Sequence, residues 1–332
     1  MARKETESMI DVNGLTKSFN GFIAVDRISF NVKKGELFGI LGPNGAGKST
    51  TIYMLTTVLR PTAGKAMVNG FEISAQPEQV RKSIGITFQD STIDNYLSAK
   101  DNLDIHGRLY GMSNEDRAKR IDEVLELVEL SDWKNQIVRK FSGGMKRRLE
   151  IARGLMHKPQ ILFLDEPTLG LDPQTRRHIW DYIVKLKNEG ITIILTTHYL
   201  EEADALCDRI AILDHGKIVA LDTPSRLKNV LKGNVLEVES PDLDKLESVL
   251  IKSKICSKPR KIGGKLILSM EKNCNDISRI IDIAKKNKIS LESIGFHRPS
   301  LEDVFIYYTG KSIREEKAEK HRGRMRGHGH GM

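Results

Sequence analysis

The segment Gly42-Pro43-Asn44-Gly45-Ala46-Gly47-Lys48-Ser49 restricts the possible folds of this chain more than any other stretch. It has the spacing G-x-x-x-x-G-K-[ST] and stands between an apolar run, Leu37 to Leu41, that reads as a strand, and a stretch from Ser49 to Leu59 that reads as a helix. Glycines let the backbone curl until several N–H groups face one anion, and the helix that follows adds the positive end of its dipole. Such a strand, turn and helix cradle the phosphates of a nucleotide. Lys48 is placed to neutralise charge on the β- and γ-phosphates, Ser49 to ligate Mg2+, and Thr50 to join the cradle from the first helical turn. A glycine-rich turn that binds nothing is the plainer alternative, and it gives no reason for a lysine at this spacing.

Around the cradle, residues 1–221 alternate between strand and helix patterns. Strands are expected at Ile10 to Val12 and Ala24 to Val32. Pro61, Thr62, Ala63 and Gly64 should stop the first helix, and Ala66 to Val68 runs into the turn dipeptide Asn69-Gly70. From about residue 98 to 157 apolar positions such as Ile121, Val124, Leu125 and Val128 recur every three or four residues, which predicts an all-helical insertion. Ile161 to Leu164 and Ile191 to Thr196 read as buried parallel strands joined by a helix around Thr175 to Asn188. A hairpin, Ile210 to Leu213 and Lys217 to Ala220, closes this domain near Leu221.

At 332 residues the chain exceeds what one hydrophobic core usually fills, so a second module is expected. Residues 222–310 supply it: strand Val235 to Glu239, helix Leu243 to Lys252, a hairpin through Gly263-Gly264 into Leu266 to Met270, helix Asp276 to Lys288 and strand Ser290 to Ile294. That order, βαββαβ, predicts a small ferredoxin-like α+β domain. Residues 311–332 read as a basic, His- and Gly-rich flexible tail.

The apolar run Ile161-Leu162-Phe163-Leu164 ends in two acids, Asp165 and Glu166. A strand in that position carries Asp165 to the magnesium, and Glu166, one residue on, polarises the attacking water. Taken alone, two acids after a strand are also an ordinary solvated loop. Twenty-three positions before Asp165 comes Phe141-Ser142-Gly143-Gly144-Met145, followed by the basic run Lys146-Arg147-Arg148. Ser142 is suited to cap a helix whose N-terminus faces an anion, and the glycines permit close approach.

With these residues the chain resembles the nucleotide-binding subunit of ABC transporters. Ser142-Gly143-Gly144 is similar to that family's signature, with Phe141 and Met145 as departures at the outer positions. The departures, the basic run, and Pro299 to Phe305 with Thr309-Gly310 resemble the daunorubicin-resistance type of exporter ATPase. The resemblance implies an α/β P-loop NTPase cassette with a mixed-sheet core and a helical subdomain. It also implies ATP and Mg2+, and a head-to-tail homodimer in which each signature meets the γ-phosphate held by the other copy. A separate integral-membrane permease would be the partner, at the cytoplasmic face of the membrane, the subunit being cytosolic when alone.

The resemblance further implies roles for single residues. Gln89, after Ile84 to Phe88, would touch Mg2+ together with Ser49 and Asp165. Leu171-Asp172 would cross the dimer, His198 would contact the γ-phosphate, and Phe19 would stack on adenine, with Phe22 as its competitor. Each has a plainer reading: Gln89 as a surface residue, His198 as a structural histidine, Phe19 as core. The implied function is ATP hydrolysis that powers efflux of a drug or another amphipathic compound. The alternative is a soluble ABC ATPase acting on ribosomes or DNA. Such proteins usually carry two cassettes or a long coiled coil, and this chain has one cassette and no sustained heptads.

Charge and cysteine content narrow the partners. The formal charge is +9, but seven Lys/Arg against three Glu in residues 311–332 contribute +4 of it, so the remainder is mildly basic. Aromatic residues are 6% and are not interleaved with basic runs, so no nucleic-acid partner is expected. No stretch approaches the ~18 apolar residues of a membrane span, and the start, MARKETESMI, has no apolar core of a secretion signal. Cys207, Cys256 and Cys274 form no CxxC pair and read as buried or idle thiols. In the tail, His321, His328 and His330 with Met325 and Met332 have two readings, a soft-metal site and a solvated end.

Overall fold

The computed structural model describes residues 8–231, 233–253, 259–262, 264–270 and 275–311. The chain divides into two compact units, Met1–Ile218 and Val219–Met332. The first unit opens with a long hairpin, β1 (Ser8–Phe19) and β2 (Phe22–Lys33), turned at Asn20-Gly21, where both residues have positive φ. It continues through β3 (Leu37–Leu41), α1 (Lys48–Leu55), β4 (Ala63–Val68), β5 (Phe71–Glu72), α2 (Pro77–Ser83) and β6 (Ile84–Thr87). A helical block follows, α3 (Ala99–Leu109), α4 (Asn114–Leu127) and α5 (Gly143–Gly154). Its three helices are each started by a serine, Ser98, Ser113 and Ser142, whose side chain accepts a backbone N–H; such a cap contributes about 1 kcal/mol. The chain then returns through β7 (Ile161–Asp165), α6 (Pro173–Asn188), β8 (Thr192–Thr197), α7 (Leu200–Leu206), β9 (Arg209–Asp214) and β10 (Lys217–Asp222).

Two sheets result. One is antiparallel, β2-β1-β4-β5; the other is six-stranded, β10-β9-β3-β8-β7-β6, with β9, β3, β8, β7 and β6 parallel. Parallel strands covered on both faces must be apolar throughout, and every residue of β3 and β7 is buried. Each large apolar side chain so buried contributes about 1.5–3 kcal/mol. Because the strands are parallel, the carboxyl ends of β3, β8, β7 and β6 share one edge, where open α/β sheets bind their ligands.

The structure corrects several boundaries. The first helix ends at Leu55 and not Leu59, since the Thr56 N–H closes the last turn on Ile52 O and Thr57 takes a left-handed φ of 64°. Ala63 and Gly64, expected only as a helix stop, begin β4. Gly64 has φ 82°, and a Cβ there would lie 2.2 Å from Gly14 O, so only glycine lets β4 pass β1. Strands β1 and β2 run twelve residues each; register shifts between them interrupt the alternation that would have announced their length.

The second unit contains α8 (Pro224–Asn229), β11 (Asn234–Glu239), α9 (Leu243–Lys252), β12 (Arg260–Ile262), β13 (Lys265–Met270), α10 (Asn275–Lys286), β14 (Ser293–His297) and α11 (Leu301–Thr309). Its sheet is antiparallel in the order β12-β13-β11-β14, the arrangement of a ferredoxin-like plait. Leu236, Val238, Leu266 and Leu268 of the sheet pack with Leu246, Leu250, Ile280 and Ala284 of the two helices. The last strand lies three residues later than expected. Among the described residues no helix is long and apolar enough to cross a membrane.

Candidate functional site

The chain leaves β3 at Leu41 and turns through Gly42–Gly47 into α1. Two glycines are dictated by close approach: a Cβ on Gly42 would lie 2.3 Å from Leu213 O, and one on Gly47, at φ 106°, would lie 2.6 Å from Ala24 O. Pro43 and Ala46 are buried, Asn44 and Gly45 are exposed at the rim, and Thr50 is half-buried behind Ser49. Buried Lys48 donates from Nζ to Gly42 O at 2.9 Å and Pro43 O at 3.2 Å, and forms an ion pair with Glu166 Oε1 at 3.1 Å. Ser49 Oγ donates to Asp165 Oδ1 at 3.1 Å.

Asp165 is fully buried at the end of β7. Burial pushes its carboxyl above the usual range, opposed by the hydroxyls of Thr196 and Ser49, which both donate to Oδ1. Its other oxygen, Oδ2, is buried with no hydrogen-bond partner among the described residues. An orphaned carboxylate oxygen is costly, and beside a serine hydroxyl it makes a hard-oxygen pair that suits a divalent cation. Asp165 and Ser49 therefore fit Mg2+.

Glu166 follows with φ 47°, a left-handed conformation that costs a non-glycine residue about 1 kcal/mol or more. Its N–H is donated to both the carbonyl and the hydroxyl of Thr196, at 3.1 and 3.0 Å. His198, buried just beyond β8, places Nδ1 2.5 Å from Glu166 Oε2. Burial raises the Glu166 carboxyl, but His198 and the Lys48 ammonium outweigh it and hold the group below its usual range. Adjacent carboxyl groups are thus pushed in opposite directions, and both oxygens of Glu166 are engaged, one by Lys48 and one by His198.

Lys48 and His198 meet on Glu166, Ser49 meets Asp165, and Thr196 joins the two sets. Gln89, Phe19 and Ser142 to Gly144 are not hydrogen-bonded to them among the described residues. Gln89 is exposed past the end of β6. Ser142 Oγ accepts from Met145 N at 3.2 Å. The glycines differ: a Cβ on Gly144 would lie 2.4 Å from Thr175 Cγ2, whereas one on exposed Gly143 meets nothing nearer than Leu171 Cδ2 at 3.6 Å. Asp172 caps α6, accepting from Thr175 N at 3.0 Å. Phe19 and Phe22 pair across the tip of the first hairpin and both are exposed, 42% and 67%.

Sequence reasoning passed over Thr196 and Arg147. In the sequence Arg147 belongs to a basic run, yet it is buried and reaches four acceptors. Its spacing from Gly144, Ile151 and Gly154, all on the buried stripe of α5, was the available signal. In the second unit Glu237, His297 and Asp303 bring ligand atoms within 4.8 Å of one another, but Lys265 already pairs with Glu237 and Ser300 donates to Asp303. Cys207 is buried, which pushes its thiol well up. Cys256, Cys274 and the tail residues His321, Met325, His328, His330 and Met332 lie outside the described residues.

The family profile described as ABC transporter matches residues 25–169. Over 323 residues the chain is 38% identical to the daunorubicin/doxorubicin resistance ATP-binding protein DrrA of Streptomyces peucetius, covering 94% of this chain and 95% of that one. The chain belongs to the ATP-binding subunits of ABC transporters, of the daunorubicin-resistance type. This subunit is also 36% identical over 311 residues to the linearmycin resistance ATP-binding protein LnrL of Bacillus subtilis, covering 92% of this chain and all of that one. Among solved structures it is similar to a dimeric ATP-binding cassette in a post-hydrolysis state bound to ADP and Pi, at TM-score 0.60 and 29% identity, over 65% of this chain and 98% of that one. It is likewise similar to cbiO1 from Clostridium perfringens, part of an ABC transporter complex, at TM-score 0.63 and 28% identity, over 74% of this chain and 96% of that one. The subunit is an ABC transporter ATPase.

Proposed function

We propose that this subunit, as a homodimer, hydrolyses MgATP at the cytoplasmic face of the membrane and thereby drives a separate integral-membrane permease that exports a drug or another amphipathic compound. The observation that supports the chemistry best is the grip of Lys48 and His198 on Glu166 beside the orphaned oxygen of Asp165. Entering phosphates compete for the Lys48 ammonium. As it turns to them, Glu166 Oε1 is released to accept a proton from the attacking water, with His198 keeping the carboxylate oriented. Backbone N–H groups from Gly42 to Ser49, with Thr50, hold the phosphates. Ser49, Asp165 and Gln89 would hold Mg2+, which neutralises phosphate charge. The start of α5, with Ser142, Gly143 and Gly144, faces the γ-phosphate bound by the second copy, and Phe19 stacks on adenine.

Residues 1–221 act as the cassette in this reading and 222–310 as an accessory domain, with no nucleic-acid partner. The export assignment draws on the resistance names of the relatives. It is tested by reconstituting the subunit with its permease and titrating amphipathic compounds. Export requires that at least one compound stimulate ATP turnover only when the permease is present. Turnover indifferent to permease and compound alike would favour the soluble, ribosome- or DNA-directed alternative.

A further inference from the structure

We propose that Arg147 is a positioning residue that clamps Glu166 in its left-handed conformation and ties that clamp to the start of α5 and to the strand end before Gln89. Arg147 is 7% exposed, and its guanidinium ties two other segments to its own helix at once. Nε donates to Pro167 O at 2.7 Å and Nη2 to Asp165 O at 2.9 Å. Those two carbonyls flank Glu166, the strained residue of the site. Nη1 donates to Phe88 O at 2.7 Å, one residue before Gln89, and to Glu150 Oε2 at 2.6 Å on the same helix.

The planar fork makes this possible. Five donors in fixed geometry span carbonyls on different loops, which the point charge of lysine does not do. A left-handed glutamate persists only where its surroundings over-determine it. Here Thr196 holds its N–H and Arg147 holds the carbonyl on either side. The same side chain grows from the fifth residue of α5, so a shift of the signature end of that helix is transmitted to the peptide units around Glu166. Arg147 touches neither substrate nor reacting atoms in this role. It acts through Glu166 and Gln89.

The inference rests on the ATPase reading, and its test separates the two. Arg147→Gln and Arg147→Lys are made in the full chain, and nucleotide affinity, KM and kcat are measured for each beside the parent. The expected result is nucleotide affinity and KM within about twofold of the parent, because the cradle is untouched, with kcat lowered about 10-fold or more in Arg147→Gln and partly restored in Arg147→Lys. In a Glu166→Gln background, Arg147→Gln should raise the ATP concentration needed for dimerisation. Parent kcat in Arg147→Gln overturns the proposal. So does a loss of kcat matched by an equal loss of affinity and of folded protein in both variants, which makes Arg147 a residue of the fold alone. A parent that neither binds nor hydrolyses ATP would instead remove the ATPase reading beneath it.

Discussion

The two glycines of the signature should answer alanine substitution in opposite ways, because only one of them is dictated by the chain's own packing. A Cβ on Gly144 would sit 2.4 Å from Thr175 Cγ2, about 1 Å inside ordinary contact distance. The methyl cannot swing aside cheaply, since the Thr175 hydroxyl is held by Asp172 Oδ2 at 2.5 Å and its N–H by Oδ1 at 3.0 Å. Relief requires moving the start of α5 away from α6, and overpacking of this kind costs about 1–3 kcal/mol. For a unit of this size that lowers Tm by about 2–10 °C. Gly143 is exposed and helical, and its Cβ would meet only Leu171 Cδ2 at an ordinary 3.6 Å. Gly143→Ala should therefore leave stability unchanged or raise it by up to about 1 kcal/mol, through the lower entropy of the unfolded chain. If Gly143 is kept for the approach of the second copy's nucleotide, the same variant should nevertheless lose turnover, by about tenfold for every 1.4 kcal/mol of lost transition-state binding. Thermal unfolding and steady-state ATPase on the two variants decide the matter. Equal destabilisation in both, or full turnover in Gly143→Ala, refutes the division of labour.

Lys48→Ala removes the cation from the cradle and from its ion pair with Glu166 together, so nucleotide affinity measured by titration should fall by about tenfold or more; unchanged affinity contradicts the cradle. Glu166→Gln should bind ATP as the parent does and hydrolyse it about 100- to 10,000-fold more slowly, the usual contribution of general-base assistance; turnover at the parent rate removes Glu166 from that role. Burial, with Arg153 and His157 adding to it, pushes His106 down to about 4. The unfolded chain therefore binds this proton more readily than the folded one between about pH 6.5 and 4, and stability is lost as pH falls through that window, by about 3 kcal/mol in total. His106→Phe should flatten the acid limb of a stability-against-pH curve, and an unaltered limb excludes His106 as its source.

How much of this was legible in the sequence follows from where the signals are local. Strand β3 matches the expected Leu37 to Leu41, because a strand buried on both faces must be apolar without interruption. The plait order was readable because its hairpin, helix and strand punctuation is local too, and so is the capping pair Ser300 and Asp303 that starts α11. Non-local features were not legible. The reach of β1 depends on bulges against β2, and Gly64 is forced by Gly14 across the sheet. Short helices α2, α7 and α8 hold too few residues for a period to show. At the site the motifs gave Lys48, Ser49, Asp165 and Glu166, and the family resemblance gave His198; the structure brings them together with Thr196 as the bridge. Motifs could not reveal that both oxygens of Glu166 are engaged by Lys48 and His198, nor that one basic residue of three is buried.

The claim on which the rest depends is that the nucleotide is sandwiched between two copies of this subunit. It is tested most directly by the mass in solution of the Glu166→Gln variant, by sedimentation or light scattering, with and without saturating MgATP and with the permease supplied in a parallel sample. The expected result is a monomer without nucleotide and a dimer with it, reversed when ATP is exchanged for ADP. A species that remains monomeric at saturating ATP in both samples contradicts the account.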